Sequence, residues 1–533
     1  MGISFDKQGE IKESWLYCHE VLEAIYNVSI SAKLLTISNG FIINFTTYHK
    51  KMPLIDPETL TRKESGSTIA DNGLLHEKTN PEEVPPPPTI VNEDDPDIDK
   101  GYAWVVCGAC VIFYACTWGM NSGFAIYFAN YLTNGTFEGA TKMDYSYIGG
   151  MSLGVGLFFA PVITVIQGYI GFRNTLIIGN CLQFTALMLA SWSRKLWQLY
   201  CTQGLMQSFG LAFLSIPAIT VLPQWFKKKR VLAMGLSSAG SGLGGIVFNL
   251  GMQKVVDTKG VFWALRVQSI IGFGLTWIAI FLAKSKAAKH NIQFDFFNFS
   301  SCKTAGYWLV MLFVITCIFG YVIVLYTLAN FTTSLGYSER QGSIVSAMVQ
   351  VGSLFGRPVV GYLSDRYGAA TLGSIVYYIS GIFCLAMWIP ARNYATVIIF
   401  ALIMGSIMGS IYAIFAPLIA RIFGLQKMSI IFGQIWAIVG VAGLFSPVIG
   451  VKLTKGSGAE VNPSSYRDCS IFTGIMFLAC ATFMLIIRGY IKARDRILVE
   501  KGDEVTDMRD AESITVPVGD VLKLVFARSN EKA

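Results

Sequence analysis

One arginine lies inside an otherwise apolar stretch and offers the clearest chemistry in the sequence. Arg357 is the only charged residue of the run Gln341–Leu363. A charged side chain inside a membrane span costs about 2.5–3.5 kcal/mol on insertion scales, so such a residue usually has a function. Its planar, permanently charged guanidinium suits a carboxylate partner. Alternatively, Arg357 reaches the membrane surface, because Leu363 is only about 9 Å further along a helix.

Two other patterns resemble known sites but lack the required surroundings. Gly240-x-Gly242-x-x-Gly245 matches a dinucleotide fingerprint, yet it lies within an apolar run and not between a strand and a helix. Cys107-x-x-Cys110 has redox-motif spacing without a surrounding βαβ pattern. No His/Cys/Asp/Glu cluster, nucleophile elbow or phosphate loop occurs at usable spacing. We therefore expect neither an enzyme nor a cofactor or metal site.

The composition predicts where these residues lie. The chain has 533 residues, of which 53% are hydrophobic and only 14% charged, against about 25% charged in soluble domains. Its net charge of +8 comes without a basic arm containing aromatic residues, which argues against nucleic acid as a partner. A bilayer core about 30 Å thick needs roughly 20 apolar residues per helix. This rule predicts an all-α polytopic membrane protein with twelve transmembrane helices, at Ala103–Tyr131, Tyr147–Ile170, Thr175–Ser193, Leu196–Leu222, Val231–Val256, Val261–Ala283, Ala305–Phe331, Gln341–Leu363, Ala369–Pro390, Ala395–Ala420, Met428–Leu453 and Ile471–Ile491.

The chain divides into two halves that resemble each other. The longest internal connection, residues 284–304, follows the sixth predicted span and would be a cytoplasmic linker. Gly168–Arg173 after span two resembles Gly361–Arg366 after span eight. Equivalent loops in two six-helix halves are typical of transporters built from parallel repeats. We therefore predict two six-helix bundles, residues 99–283 and 305–491.

Lys and Arg near the span ends predict the orientation. If the N-terminus is inside, the cytoplasmic loops hold most of these residues, including the cluster Lys227–Arg230. Residues 1–98, which are rich in proline and acidic residues near their end, are predicted to be a disordered cytoplasmic tail, and residues 492–533 a second cytoplasmic tail. Whether residues 1–51 belong to the native protein stays open, since Met52 is an alternative start. No receptor-read address stands out, and we favour the plasma membrane over a vacuolar or other organellar membrane.

Three segments carry a family resemblance. The first is Asp99–Val106 at the start of span one, and the second runs from Trp225 through the basic cluster to Gly245. The third is Gly356–Gly368, in which Gly361, Asp365 and Arg366 resemble the loop signature of the major facilitator superfamily. In that superfamily the charged pair latches neighbouring helix ends in one access state. Together the segments resemble the monocarboxylate transporter family, particularly its fungal homologues, over roughly residues 96–495.

The resemblance implies a central solute site and rocking between two access states, as such repeats are expected to do. Family members that move lactate or pyruvate carry a lysine that aligns with Asn121 or Ser122, and an aspartate that aligns with Ser353. Of these three charges only Arg357 is present here. The resemblance thus implies that Arg357 contacts the anion and that Ser353, Asn121 and Ser122 shape the site.

The sequence therefore predicts a secondary transporter in the lipid bilayer that moves a small organic solute, with a monocarboxylate as the class implied by the family. One alternative is a neutral or larger organic nutrient, because the aligned lysine and aspartate are missing. Another is a transport-inactive membrane sensor, because the N-terminal tail is long. The predicted spans contain no interior Asp, Glu or His, so the sequence offers no proton carrier. A proton could still be the coupling ion if the protonated acid itself is the cargo.

Overall fold

The computed structural model describes residues 97–286, 299–454, 462–500 and 516–527. Within these ranges the regular structure is helical, with no strand, and a helix occupies each of the twelve predicted runs. Ten helices and one bent pair are long and apolar enough to cross a membrane. The 19-residue helix Phe172–Ala190 completes the set. The predicted all-α polytopic fold is confirmed.

The helices are numbered in chain order. The first six are α1 (Tyr102–Asn134), α2 (Lys142–Phe158 and Ala160–Ile170), α3 (Phe172–Ala190), α4 (Leu196–Gln224), α5 (Arg230–Lys259) and α6 (Val261–Leu282). The next six are α7 (Ala305–Ser334), α8 (Glu339–Tyr367), α9 (Ala369–Trp388), α10 (Tyr394–Gly424), α11 (Lys427–Gly450) and α12 (Arg467–Glu500). A short helix, α13 (Val518–Leu524), packs against α12.

The predicted tails and linker are only partly described. Residues 1–96 of the predicted N-terminal tail lie outside the described residues, as do residues 287–298 of the linker. At the other terminus, α12 continues to Glu500 rather than ending at Ile491. The hydropathy rule ended this span early, because it detects only the apolar part of a helix. The predicted C-terminal tail therefore begins within α12 and includes α13.

The glycine-rich segment of α5 serves helix packing. Gly240 faces the backbone of α1, and Gly242 faces that of α8. Small residues let helix backbones approach closely within a membrane. Cys107 and Cys110 of α1 are buried, and their Sγ atoms contact the carbonyl groups of α5 and α4. Both patterns that resembled nucleotide or redox motifs are thus contacts between helices.

Several of the described helices are irregular, including α2, which bends by 52° between Phe158 and Ala160, and two of them are α1 and α10. In α1, residues Ala115–Gly119 form a π-turn. In α10, the regular helix stops at Met408 and resumes at Ile411, with Gly409 and Ser410 forming the turn between them. Such irregularities are frequent at functional sites, and in transporters the broken helices line the solute site. The two interruptions therefore mark where a central site should be sought.

Candidate functional site

A small cavity lies where helices from both halves of the chain meet. It is lined by Tyr114, Trp118, Ser241, Tyr321, Arg357 and Tyr412, which belong to α1, α5, α7, α8 and α10. We use the term basic end for the end of the bundle that carries Asp99, the loop Lys227–Arg230 and Asp365. At 1.5 Å per residue, the lining residues lie about 15–24 Å from that end of their helices. In a hydrocarbon core about 30 Å thick, this depth is central.

Arg357 is the charged group of the cavity. Its side chain is 3% exposed, and Nη1 donates to the Ser238 carbonyl oxygen at 2.8 Å and to Ser241 Oγ at 2.7 Å. Nη2 donates to the Tyr321 hydroxyl at 3.4 Å, and the guanidinium carbon lies 5.2 Å from the centre of the Tyr412 ring. The side chain therefore points into the bundle and not along α8 towards the basic end. Among the described residues, every partner of Arg357 is neutral.

Several buried polar atoms around Arg357 have no hydrogen-bond partner within the described part of the chain. Among the residues that line the cavity, they are Arg357 Nε, the Tyr114 hydroxyl and the indole nitrogen of Trp118. Each such buried group costs about 1–3 kcal/mol if it stays unsatisfied. Arginine and indole nitrogens can only donate. A solute rich in acceptor oxygens would satisfy them together.

Aromatic rings form the walls of the cavity. The Tyr412 ring centre lies 5.6 Å from that of Trp118 and 5.8 Å from that of Tyr321. Trp436, which does not line the cavity, packs against Tyr412 with 6.1 Å between the ring centres. The volume of the cavity is about 20 Å³, which holds roughly one water molecule. Binding of an organic solute therefore requires these rings to move apart.

Of the predicted site residues, only Arg357 lines the cavity. Ser353 is 3% exposed and its hydroxyl has no partner among the described residues. Asn121 Oδ1 accepts a hydrogen bond from Ser152 of α2 at 3.3 Å. The Ser122 hydroxyl donates to the Gly119 carbonyl oxygen within α1 at 2.6 Å. The roles of Ser353, Asn121 and Ser122 in binding stay predictions.

A second cluster joins the two halves at the basic end. The carboxylate of Asp365, at the end of α8, accepts hydrogen bonds from the backbone N–H groups of Val231 and Leu232, at 3.0 and 2.8 Å. These groups lie in the first turn of α5, whose own N-cap residue, Lys229, provides no side-chain cap. Asp365 therefore caps the N-terminus of α5 from another helix, α8. Its negative charge is also stabilised by the positive end of the α5 dipole.

The close contact at Asp365 depends on a glycine. A Cβ atom on Gly361 would lie only 2.7 Å from the Val231 carbonyl oxygen, so the two helices approach because Gly361 has no side chain. Arg366, the other charged residue of the predicted gating loop, lies over its neighbour Tyr367, with 5.6 Å between the guanidinium carbon and the ring centre.

Asp99 binds the same stretch of backbone from within the first half. Its carboxylate accepts from the N–H groups of Lys227, Lys228 and Lys229, at 3.2, 2.9 and 3.0 Å. The three segments that carry the family resemblance therefore meet at one place, where Asp99 binds the α4–α5 connection and Asp365 binds the first turn of α5. Sequence reasoning did not foresee this meeting, because the segments are far apart along the chain.

Sequence reasoning also missed most of the cavity. Tyr114, Trp118, Tyr321 and Tyr412 drew no attention, because aromatic residues are ordinary in apolar runs. The signal that could have identified them is a hydroxyl or indole N–H group in the middle of a predicted span. Across the described ranges, no three His, Cys, Asp or Glu side chains come together as a metal site would require.

Comparison with known proteins gives a consistent result. Residues 107–447 match the family model described as Major Facilitator Superfamily. The chain is 44% identical to the "Probable transporter MCH2" of Saccharomyces cerevisiae over 408 residues, which cover 76% of this chain and 86% of that protein. It is 31% identical to the "Uncharacterized transporter ESBP6" of the same yeast, over 85% of this chain and 70% of the relative.

Solved structures share the fold at low sequence identity. The transporter FucP in its outward conformation matches with a TM-score of 0.55 and 15% identity, covering 72% of this chain and 98% of FucP. A bacterial homologue of the iron transporter ferroportin, in an outward-facing state, matches with a TM-score of 0.56 and 12% identity, covering 73% of this chain and 99% of the homologue. At such identities the likeness concerns the fold alone.

Proposed function

The chain belongs to the major facilitator superfamily, and from this premise we propose that it carries a small monocarboxylate across a membrane by alternating access. It is an integral multi-pass membrane protein of a family of transporters, not of enzymes. The proposal adds the class of solute and the residues that would bind it.

The observation that carries the proposal is Arg357. This buried cation has neutral partners only, and its Nε–H has none within the described ranges. A permanent charge in mid-membrane is costly unless something compensates it. A monocarboxylate would supply one negative charge and two acceptor oxygens, which matches one guanidinium. Ser353, Asn121 and Ser122 would border the site once the aromatic walls have moved apart.

The contact between Asp365 and α5 would be the gate. In this state the two halves are joined at the basic end by hydrogen bonds from Val231 and Leu232 to Asp365. We assign the basic end to the cytoplasmic side, with both termini on that side, because Lys and Arg concentrate there. Breaking these bonds would expose uncapped N–H groups of α5, so opening at this end has a cost that a bound solute can help to offset.

A second candidate is a neutral or larger organic solute. It is favoured by the aromatic walls of the cavity, since Tyr114, Trp118, Tyr321 and Tyr412 line it together with a single charge. Neutral analogues distinguish the candidates. Lactamide has the shape of lactate without its charge, so it should fail to compete with a carboxylate cargo and should compete with a neutral one.

The experiment is uptake of labelled pyruvate and lactate into proteoliposomes, with and without an inward proton gradient. We expect saturable uptake by the wild type and none by Arg357→Ala. Stimulation by the gradient would identify a proton symporter, and its absence a uniporter. No uptake of any monocarboxylate by well-reconstituted wild type would overturn the proposal and leave a different solute or a transport-inactive sensor.

A further inference from the structure

The C-terminal helix α13 rests on α12 through a glycine. Val521 and Val525, on one side of α13, are buried. A Cβ atom on Gly489 of α12 would lie 2.5 Å from the Val521 carbonyl oxygen and 2.8 Å from Val525 Cγ2. The two helices therefore approach closely because Gly489 has no side chain.

Two cations of α12 hold the end of the C-terminal segment, residues 516–527. Arg488 donates to the carbonyl oxygens of Val525 and Ala527, and Lys492 Nζ donates to that of Ala527 at 2.8 Å. Positive charges stabilise the carbonyl end of a helix. Arg488 Nε also donates to Thr371 Oγ1 of α9, at 2.9 Å. The segment is thus attached to α12, and through Arg488 to α9, both of which belong to the second half.

The face of α12 that carries α13 is the face that meets lipid. Ile475, Thr482 and Gly489 follow one another at seven-residue intervals, which is close to two helical turns, so they lie on one face. Ile475 is 51% exposed, and Thr482 is exposed as well. The described lining of the central cavity includes no residue of α12, so exposed side chains in its apolar part face the acyl chains. At Gly489, α13 therefore covers the continuation of the lipid-facing side.

The contact between α12 and α13 lies at the edge of the hydrocarbon core. Gly489 is about 33 Å along α12 from its first residue, Arg467, and the hydrocarbon core is about 30 Å thick. The apolar run of α12 ends at Ile491, and Lys492 and Arg494 follow it. The C-terminal segment therefore lies between acyl chains and head groups, at the basic end.

The side of the C-terminal segment that α12 leaves uncovered is apolar. Val518, Leu522 and Phe526 are 74%, 61% and 80% exposed. At about 100° per residue they fall within an arc of about 80°, next to the side that contacts α12. Asp520 and Lys523 are also exposed, and they lie about 160° and 100° from the middle of this arc. Separate apolar and polar sides of this kind are typical of a helix that lies in the plane of the membrane.

We propose that the C-terminal segment is a membrane anchor, which inserts Val518, Leu522 and Phe526 into the acyl chains of the leaflet at the basic end. The partner is the lipid surface, because α13 lies on the lipid-facing side of α12 and at the depth of the head groups. The anchor moves with the second half, since its contacts are with that half. It does not depend on which solute the protein carries.

The test measures contact with lipid in the full-length protein, reconstituted at one copy per nanodisc. Leu522→Cys, Phe526→Cys and the control Lys523→Cys each carry an environment-sensitive fluorophore, in a background with serine at Cys18, Cys181, Cys201 and Cys302. We expect lipids spin-labelled near the top of the acyl chain to quench the fluorophore roughly threefold more at 522 and 526 than at 523. Equal quenching at the three positions would overturn the proposal. A blue-shifted emission at 522 without quenching would also overturn it, because a protein surface would then cover these side chains.

A second comparison asks whether α12 holds the anchor in place. Three apolar side chains bind a membrane only weakly without a second attachment, so Gly489→Ala, whose methyl group meets the Val521 carbonyl oxygen, should lower the quenching at 522 about twofold. Gly274→Ala on α6 is the control, because its methyl group meets no atom within 4 Å. Unchanged quenching in Gly489→Ala would contradict the role of α12. If Gly489→Ala does not fold, the three fluorophore positions decide alone, since their exposed side chains can be replaced without disturbing the core.

Discussion

Two buried arginines differ in what balances their charge. Arg357 and Arg494 are both 3% exposed. The guanidinium of Arg494 donates to Asp495 Oδ1 from Nε and Nη2, at 3.2 and 2.8 Å. Its Nη1 donates to the carbonyl oxygens of Arg421 and Ile422, at 2.9 and 3.0 Å. Arg357 has only neutral partners within the described part of the chain, and one of its nitrogens has none.

The difference fits the proposal that Arg494 is a structural charge and Arg357 a binding charge. Arg494 lies beyond the apolar part of α12, near the basic end. Its counter-ion is the carboxylate of the next residue, Asp495. Arg357 lies at the level of the central cavity, where charge is most costly, without a counter-ion among the described residues. A transporter must leave part of the cost of a binding charge unmet, so that the solute can meet it.

The largest effect that tests this comparison should come from replacing each arginine and measuring the change in the free energy of unfolding. We expect Arg494→Ala to lower the free energy of unfolding by about 3 kcal/mol, near the low end for a broken buried pair. The loss is not larger because Arg421 Nη2 still pairs with Asp495, at 2.8 Å. Arg357→Ala should leave stability unchanged or raise it, because it removes an uncompensated charge. Thermal unfolding in detergent measures both. A large destabilisation by Arg357→Ala would make it a structural arginine as well.

The next largest effect should come from Arg357→Lys. Lysine keeps the charge but presents a single point of donation, so the paired contact with a carboxylate is lost. We expect KM for pyruvate to rise about tenfold, which corresponds to about 1.4 kcal/mol. Initial rates of uptake into proteoliposomes give KM. The corresponding change at Arg494, to lysine, should alter stability and leave KM unchanged. A normal KM in Arg357→Lys would mean that charge alone is recognised.

A smaller effect is expected at the basic end, where Asp365 and Asp99 cap neighbouring stretches of backbone. Asp365→Asn weakens a cap that joins the two halves, by about 1 kcal/mol, so the population open at the basic end should rise about fivefold. Faster labelling of a cysteine placed at Val231, which is 5% exposed, would report this opening. Asp99→Asn weakens a cap within the first half only, and it should leave the labelling rate unchanged. Equal acceleration in both variants would contradict a gate at Asp365.

The fold was predictable from the sequence because a bilayer imposes a length on apolar helices. The rule located each of the twelve helices in the described residues, and it failed at edges such as that of α12. There the helix continues past the apolar run to Glu500. Hydropathy does not detect the polar turns at the end of a helix. No pattern of residues marked the interruptions in α1 and α10.

Of the residues that line the candidate site, the sequence singled out only Arg357, which contradicts its surroundings. Arg357 was found because a charged residue within an apolar run stands out in the linear sequence. Tyr321 and Tyr412 were not found, since their nearness to Arg357 arises from the packing of three helices. Asn121 was predicted from a resemblance, and its contact with Ser152 of α2 depends on how the two helices pack.

The smallest expected effect concerns the anchor of Arg357 on α5. Ser241→Ala removes one of two acceptors at Nη1 and leaves the Ser238 carbonyl in place. The guanidinium should stay in the cavity with its orientation less firmly fixed, so we expect KM to rise only about threefold, equivalent to about 0.65 kcal/mol. Ser237→Ala is the control, because that hydroxyl is also buried in α5 but bonds within its own helix, to the Met234 carbonyl. A loss as large as that of Arg357→Lys would mean that Ser241 contacts the solute directly, and the comparison of the two arginines would then have to include it.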